Sequence, residues 1–230
     1  MCVIVPAYNE GVVISKVIKN AKKSFDKNKD FLLDIIVVND GSHDDTSVRA
    51  ELAGAVVINH ILNSGAGAAT LTGLTFASCN NYDIVATMDA DGQHAPEDVL
   101  EGVVLLQKTG VDLLIGSRLI NSEGMSRVKI LGNKGLSLIT RILFGVAVTD
   151  SQSGLRIFSR KAINSLQWQS AGFEFCSEMI WRAKQAKLTI KEYSIRAIYT
   201  DYSKAKGQNN WNAIVIVKRL LKQRIVDLFE

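Results

Sequence analysis

The chain has 230 residues, of which 47% are hydrophobic and 22% are charged. These values are ordinary for a soluble globular protein and exclude a disordered chain, a collagen-like fibre and a disulfide scaffold. No signal peptide is apparent at the start, and no apolar run approaches the roughly 20 residues of a membrane-spanning helix, so we do not expect the chain to cross a bilayer. Three widely spaced cysteines, Cys2, Cys79 and Cys176, predict reduced thiols in a cytosolic protein, with neither disulfides nor zinc.

Charge is distributed unevenly along the chain. Residues 1–117 carry 8 basic and 15 acidic side chains, a net charge of −7, whereas residues 118–230 carry 19 and 8, a net charge of +11. This asymmetry predicts a front half that holds a metal and a back half that binds phosphates or an anionic membrane, unless it is only uneven surface charge.

Apolar runs and helical patterns alternate through the front half. The pattern predicts strands at 2–6, 33–38, 55–58, 83–88 and 112–116, and helices at 12–25, 44–52, 67–79 and 96–108. This order is typical of a mostly parallel sheet with helices on both faces. Ligands of such sheets bind at the carboxyl ends of the strands, where the unusual polar clusters of this sequence also lie.

The regular alternation of strand and helix patterns ends after residue 118. The pattern predicts an amphipathic helix within 124–146, a polar-to-apolar segment at 150–158, helices near 160–166 and 174–187, a strand near 189–195, a loop at 200–210 and a helix at 211–229. We expect one domain, 1–230, with a nucleotide-type half at 1–117 and an acceptor-type half at 118–230.

The segment Asp89-Ala90-Asp91-Gly92-Gln93 follows a strongly apolar strand. Two carboxylates two residues apart at a strand end can converge on one divalent cation, and oxygen ligands suit Mg²⁺ or Mn²⁺. The alternative is an acidic turn that caps the next helix.

Three further motifs occupy strand ends. In VPAYNE, Tyr8 is suited to stack on a base, and Glu10 to accept hydrogen bonds from a base or ribose. In NDGS, Asp40 is placed to bind a base edge or ribose. In NSGAGAA, at 63–69, small residues allow a close approach to a ligand. The alternatives are turns with helix caps for the first two motifs and close helix–sheet packing for the third.

Together, VPAYNE, NDGS, NSGAGAAT and DADGQ, in this order, resemble the family 2 inverting glycosyltransferases. GSR at 116–118 and DSQSGLR at 150–156 are similar to the branch that includes the polyprenyl-phosphate sugar synthases. The resemblance covers roughly residues 2–210, and it implies the GT-A (Rossmann-like) fold, an α/β class with a mostly parallel central sheet flanked by helices. The sequence departs from many relatives at Ala66, where they carry Lys, and in having no C-terminal transmembrane helices.

The resemblance implies a UDP- or GDP-linked sugar as donor, and a role for individual residues. The donor contacts would be Pro6, Tyr8, Glu10, Asp40, Gly67, Asp89, Ala90 and Asp91. Mg²⁺ or Mn²⁺ on the diphosphate would be held by Asp89, Asp91 and Gln93. The acceptor contacts would be Arg118, Arg127, Ser153, Arg156 and Lys204, and the catalytic residues Asp91, Asp150 and Arg118.

The nature of the acceptor determines whether a general base is needed. A lipid monophosphate, with a second pKa of about 6, arrives ionised and needs only cations, whereas a sugar hydroxyl needs a carboxylate such as Asp150, Glu174 or Glu178. We expect inverting transfer of a hexose to a polyprenyl phosphate at the cytosolic membrane face. The alternatives are a glycan hydroxyl acceptor in cell-surface polysaccharide synthesis and a non-catalytic nucleotide-binding or scaffold protein.

Expected partners include a membrane surface or a membrane-anchored protein, because the helices at 124–146 and 211–229 are basic and amphipathic. Packing on the core is the alternative for both helices. Nucleic acid is not an expected partner, since the basic residues are not interleaved with aromatic ones. We expect His94 to lie on the surface, and the alternative is that it approaches the metal or diphosphate, because it is close to Asp89 and Asp91 in the sequence. Trp168, Trp181 and Trp211 are expected to be anchors without sugar contacts.

Overall fold

The computed structural model describes residues 1–26, 31–199, 202 and 211–226. Its strands are β1 (Cys2–Ala7), β2 (Asp34–Asn39), β3 (Val56–Asn59), β4 (Ile84–Thr87), β5 (Leu113–Ser117), β6 (Arg156–Ser159) and β7 (Ile190–Ser194). Its helices are α1 (Ile14–Asp26), α2 (Thr46–Leu52), α3 (Ala66–Cys79), α4 (Pro96–Thr109), α5 (Arg127–Phe144), α6 (Arg160–Ser165), α7 (Phe175–Gln185) and α8 (Trp211–Val226).

The strands form one sheet in the order β3-β2-β1-β4-β6-β5-β7. β6 runs antiparallel to both of its neighbours, and the other pairs are parallel. The predicted α/β class with a mostly parallel sheet is confirmed. Most predicted elements differ from the observed ones by one or two residues at their ends. The polar-to-apolar segment predicted at 150–158 contains the start of β6, which runs from Arg156 to Ser159. The predicted loop at 200–210, Tyr202 excepted, lies outside the described residues, as does the predicted end of the last helix.

Alternation along the central strands creates a core on each side of the sheet. Val3 and Val5 pack with α1 and α4 on one face. Ile4 and Ile36 pack with α3, α6 and α7 on the other. Because successive side chains of a strand point to opposite faces, a continuous apolar run is needed to fill both cores.

The pairing of β6 with β4 determines which segment of the back half contacts the carboxyl end of β4. In this pairing Thr87 lies opposite Arg156, and the Thr87 hydroxyl donates a hydrogen bond of 2.7 Å to the Gly154 carbonyl oxygen. The turn before β6 therefore lies against the segment that follows β4, where the paired aspartates are.

The back half adds a smaller core, in which α5 packs against α7 and α8. Its buried residues are Leu136, Phe144, Trp181, Ile216 and Leu220.

Trp168 and Trp181 are buried, as expected of anchors, whereas the Trp211 side chain lies outside the described part. All three cysteines are free thiols. In the part of the chain that the structure describes, no helix is both long and apolar enough to cross a membrane.

Candidate active site

A cleft of about 1090 Å³ opens at the carboxyl ends of β1, β2 and β4, and both halves of the chain line it. Of the predicted donor contacts, it is lined by Pro6, Tyr8, Glu10, Asp40, Asp89, Ala90 and Asp91. The metal candidate Gln93 and the acceptor candidates Arg118 and Arg156 also line it. The fold thus brings most of the predicted site together, as the strand-end rule leads one to expect.

The turn after β1 forms one wall of the cleft. Asn9 adopts φ 53° there, and its backbone N–H donates to Ser42 Oγ at 2.9 Å. This contact joins VPAYNE to NDGS and leaves the Tyr8 ring 39% exposed at the cleft. Glu10 is buried and accepts a 2.8 Å hydrogen bond from the Tyr202 hydroxyl. Tyr202 was not identified from the sequence, and its contact with Glu10 brings the back half of the chain to the wall that the turn after β1 forms.

Asp40 lines the cleft, but its carboxylate is already engaged by protein groups. Its oxygens accept hydrogen bonds of 2.8 Å from the backbone N–H groups of Ser64 and Gly65, and Oδ1 lies 2.7 Å from His60 Nδ1. In this structure Asp40 therefore orders the small-residue segment rather than presenting a free carboxylate to a base.

Gly67 is not among the residues that line the cleft, and its expected contact with the donor stays a prediction. A Cβ at Gly67 would lie 2.2 Å from the Ser170 carbonyl oxygen, and the Gly67 carbonyl accepts a 2.9 Å hydrogen bond from Trp168 Nε1. Glycine is required there by close packing, which was the alternative interpretation of the motif.

The paired aspartates lie beside the turn that precedes β6. The Asp89 side chain is about half exposed to the cleft, and its Oδ2 lies 2.9 Å from His94 Nε2. A Cβ at Gly154 would lie 2.2 Å from Asp89 Oδ1. Asp91 accepts hydrogen bonds from the Gln93 backbone N–H at 2.9 Å and from Gln93 Nε2 at 2.5 Å. The two carboxylates and the Gln93 amide thus form one polar cluster.

The environment pushes the pKa values of the two aspartates apart. Desolvation inside the cleft alone would raise the pKa of Asp89, but the contact with His94 and then the charges of Arg118 and Arg156 lower it on balance. Burial and the charge of Asp89 both raise the pKa of Asp91. A divalent cation at the cluster would favour the ionised form of both groups.

The oxygen atoms of Asp89, Asp91 and Gln93 are suitable ligands for a hard divalent cation. Carboxylate and amide oxygens are ligands that Mg²⁺ and Mn²⁺ accept. The described residues contain no cluster of three or more His, Cys, Asp and Glu side chains suited to a metal. Such a set suits a cation that keeps waters or shares its coordination with ligand phosphates.

Arg118, directly after β5, is one of the residues that line the cleft. Its Nε and Nη2 donate to the two carboxylate oxygens of the fully buried Asp150, at 2.7 and 3.0 Å. Burial alone would lower the pKa of Arg118, but the Asp150 carboxylate raises it on balance, so Arg118 stays positively charged. Glu192 in turn accepts hydrogen bonds from the backbone N–H groups of Thr149 and Asp150.

The remaining acceptor candidates are dispersed. Arg127 is exposed at the start of α5 and does not line the cleft. Ser153 is fully buried in the turn before β6 and does not line the cleft, and its expected contact with the acceptor stays a prediction. Arg156 lines the deep wall, and its guanidinium donates to the carbonyls of Ser151, Ser153 and Cys176 at 2.9–3.2 Å. Lys204 lies outside the described residues.

Glu174 and Glu178, the other general-base candidates, are both buried rather than part of an ordinary helix surface. Glu178 accepts hydrogen bonds from the backbone N–H groups of Gln169 and Ser170, at 3.0 and 2.8 Å. Glu174 pairs with Arg219 at 3.1 Å. Both carboxylates thus hold neighbouring segments of the back half in place.

His94 was expected on the surface, and that expectation is wrong. It is buried against Asp89, and its Nδ1 has no hydrogen-bond partner among the described residues. Its position five residues after Asp89, just before the start of α4, is the signal that could have located it.

Apolar side chains of α5, α8 and residues 173–175 line a further part of the cleft, which we call the apolar passage. They are Val128, Leu131, Leu136, Ile139, Phe173, Phe175, Ile216 and Val217. Lys129 also lines it, with its Nζ 4.3 Å from the centroid of the Tyr199 ring. One cleft is therefore lined by paired carboxylates, by the Arg118 guanidinium and by apolar side chains.

Comparison with known proteins gives a consistent result. Residues 2–167 match the family model described as Glycosyl transferase family 2. The chain is 40% identical over 240 residues to the UDP-N-acetylglucosamine–dolichyl-phosphate N-acetylglucosaminyltransferase of Methanococcus voltae, covering 95% of this chain and 93% of that protein. It is 29% identical over 221 residues to the polyprenol monophosphomannose synthase of Mycolicibacterium smegmatis, covering 90% and 81%.

The fold also matches solved structures. The glucosyl-3-phosphoglycerate synthase from Mycobacterium tuberculosis, in complex with Mn²⁺, UDP-glucose and phosphoglyceric acid, has a TM-score of 0.68 at 25% identity. The match covers 95% of this chain and 78% of that one. The expected GT-A fold is confirmed.

Proposed function

The chain belongs to glycosyl transferase family 2, and we propose that it transfers a hexose, with inversion, from a UDP- or GDP-linked sugar to a polyprenyl phosphate at the cytosolic membrane face. The observation that carries this proposal is the combination of groups in one cleft. Paired carboxylates, the Arg118 guanidinium and the apolar passage all line it.

The donor would occupy the end of the cleft formed by β1, β2 and β4. Tyr8 offers a half-exposed ring for a base, and the segment ordered by Asp40 borders the same wall. Asp89, Asp91 and Gln93 would hold Mg²⁺ or Mn²⁺ at the diphosphate. A bound cation there would stabilise the negative charge that develops on the leaving nucleoside diphosphate.

The acceptor phosphate would lie at Arg118. One phosphate oxygen attacks the anomeric carbon, a new carbon–oxygen bond forms on the opposite face, and the bond to the nucleoside diphosphate breaks. Arg118 orients the anion through a planar fork of donors, and Asp150 fixes the guanidinium. The prenyl chain would follow the apolar passage, which suits its chemistry.

Three observations favour a phosphate over a glycan hydroxyl. A hydroxyl needs a general base, yet Asp150 is held in a bidentate pair by Arg118. Glu174 pairs with Arg219, and Glu178 accepts backbone hydrogen bonds. Two relatives named for dolichyl-phosphate and polyprenol substrates point to the same acceptor class.

The test is transfer by the purified full chain to a short polyprenyl phosphate in detergent. UDP- and GDP-linked hexoses, with UDP-N-acetylglucosamine among them, are supplied with Mg²⁺ or Mn²⁺, and the lipid product is detected by mass spectrometry. We expect a product with one sugar class, loss of product with a chelator, and none with the unphosphorylated polyprenol. Absence of product with every donor, or transfer to the free alcohol, would overturn the proposal.

A further inference from the structure

The helix α5 presents an apolar stripe to solvent as well as a face to the core. Leu136, Thr140 and Phe144 are buried on the inner side. On the outer side, Val128, Leu131, Leu138 and Ile142 are 63%, 75%, 55% and 72% exposed. Their spacing of three, seven and four residues places them along one side of the helix.

A row of cations runs beside this stripe. Arg127, Lys134 and Arg141 follow each other at intervals of seven residues, close to two helical turns, and all three are exposed. The helix contains no acidic residue. Within the described ranges, no carboxylate forms an ion pair with any of the three.

We define the α5 outer surface by Val128, Leu131, Leu138, Ile142, Arg127, Lys134 and Arg141. We propose that this surface docks the protein on an anionic lipid bilayer, with the aliphatic stripe among the acyl chains and the cations against lipid phosphates. Such a division between an apolar and a cationic side is what interfacial helices use. The proposal deepens the proposed function and rests on it for the identity of the acceptor.

The position of the stripe favours a bilayer over a protein partner. Val128 and Leu131 belong both to the α5 outer surface and to the wall of the cleft, so the stripe leads into the apolar passage. A second copy of the chain seated there would cover this mouth. A bilayer seated there would bring the acceptor phosphate to the mouth while the prenyl chain remains in lipid.

The experiment is flotation of the full chain with vesicles that contain neither donor nor acceptor. Vesicles of phosphatidylcholine alone are compared with vesicles that also contain phosphatidylglycerol. Two double variants are used, Leu138→Ser/Ile142→Ser and Lys134→Gln/Arg141→Gln, because these positions lie outside the cleft. We expect the wild type to bind the anionic vesicles, and the charge variant to bind them about thirtyfold more weakly, from about 1 kcal/mol per basic residue. The apolar variant should lose binding to a similar extent.

Matched controls remove the same groups elsewhere. Lys16→Gln/Lys19→Gln removes two exposed cations from α1. Leu32→Ser/Leu52→Ser removes two leucines that are 89% and 82% exposed. Both control proteins should bind vesicles like the wild type. Equal losses in the controls would show nonspecific adhesion and overturn the proposal, as would a wild type that does not float.

Activity separates this proposal from the proposed function. All four variants should transfer sugar normally to a detergent-dispersed acceptor, whereas the two α5 variants should fail on the same acceptor in vesicles. Vesicle binding without any transfer would support the docking surface and remove the proposed reaction. A wild-type dimer in light scattering that both α5 variants dissociate would assign the surface to a second copy and overturn the docking proposal.

Discussion

Gly154 leaves room for the carboxylate of Asp89, because a Cβ at this glycine would lie 2.2 Å from Oδ1 of the aspartate. The two residues are 65 positions apart, and the pairing of β4 with β6 brings them together. Gly154 therefore contributes to the polar cluster although it has no functional group of its own.

Replacing Gly154 with alanine should displace Asp89 and weaken the binding of cation and donor. We expect Gly154→Ala to lower kcat/KM by about a hundredfold, since small misplacements of a positioned group cost rate on that scale. The measurement is steady-state kinetics, with the melting temperature of the unliganded variant as the check on folding. A wild-type kcat/KM in the variant would show that the reaction does not depend on the position that Gly154 allows Asp89 to take.

Replacing Asp91 with asparagine should separate function from stability. The pKa of Asp91 is raised, first by burial and then by the charge of Asp89, so its ionised form is disfavoured in the folded state. We expect Asp91→Asn to leave the unliganded melting temperature unchanged or higher.

The same variant should lose the cation-dependent stabilisation by nucleotide. A ligand at about 100 times its Kd adds about 2.7 kcal/mol, which a melting curve resolves. Melting curves with UDP and with GDP, each with and without Mn²⁺, provide the measurement, and the wild type serves as control. Retention of the full Mn²⁺-dependent shift in Asp91→Asn would argue against a cation at this cluster.

Asp150→Asn should reduce turnover without changing the shape of the pH–rate profile. Both carboxylate oxygens of Asp150 bind Arg118, so we expect Asp150 to be a positioning residue. A general base would instead give the wild type an acidic limb between about pH 5 and 8 that the variant lacks. The comparison is kcat/KM against pH for both proteins. Arg118→Lys, which keeps the charge but loses the planar fork, should show a similar loss of rate.

Asp112 should stabilise the fold in a pH-dependent manner. Burial alone would raise its pKa, but hydrogen bonds from the Thr189 backbone N–H and hydroxyl, at 2.8 and 2.9 Å, and contact with Lys161 lower it on balance. Because the folded pKa lies below the unfolded value of about 3.9, the stabilisation is complete above that pH. It is lost as the pH falls through the folded pKa.

We therefore expect Asp112→Asn to lower the free energy of unfolding at neutral pH by about 1–3 kcal/mol. Denaturant titrations should show the difference from wild type shrinking below about pH 4. Asp83→Asn is the matched control, because Asp83 pairs with Arg160 at an exposed position, with 80% of its side chain accessible. The control should change stability by less than about 1 kcal/mol. A constant Asp112→Asn effect across the pH range would contradict the assignment.

Local patterns were sufficient to predict the strands of the front half, because each is a short apolar run, such as IIVV, whose side chains fill the cores on the two faces of the sheet. The polar groups that follow the strands were predictable because each apolar run ends at them. The Asp40 contacts were not, because they depend on how residues 60–65 return to that strand end. Ser153 looked like a donor in a polar motif, yet only the antiparallel entry of β6 shows that it is buried. The contact of Tyr202 with Glu10 joins residues 192 positions apart, so no short motif encodes it. His94 is different, because its contact with Asp89 spans only five residues.

The position of β6 has a consequence for dividing the molecule. A fragment that ends at residue 117 would keep β1 beside β4 but would lack β6, its other neighbour. That side of β4 would be an open sheet edge, which is prone to pair with other chains. The same edge is unpaired on the ribosome until residue 159 has been synthesised. Chimaeras that exchange the back half between relatives should therefore take residues 150–159 from the same parent as the front half, because β6 pairs with both β4 and β5.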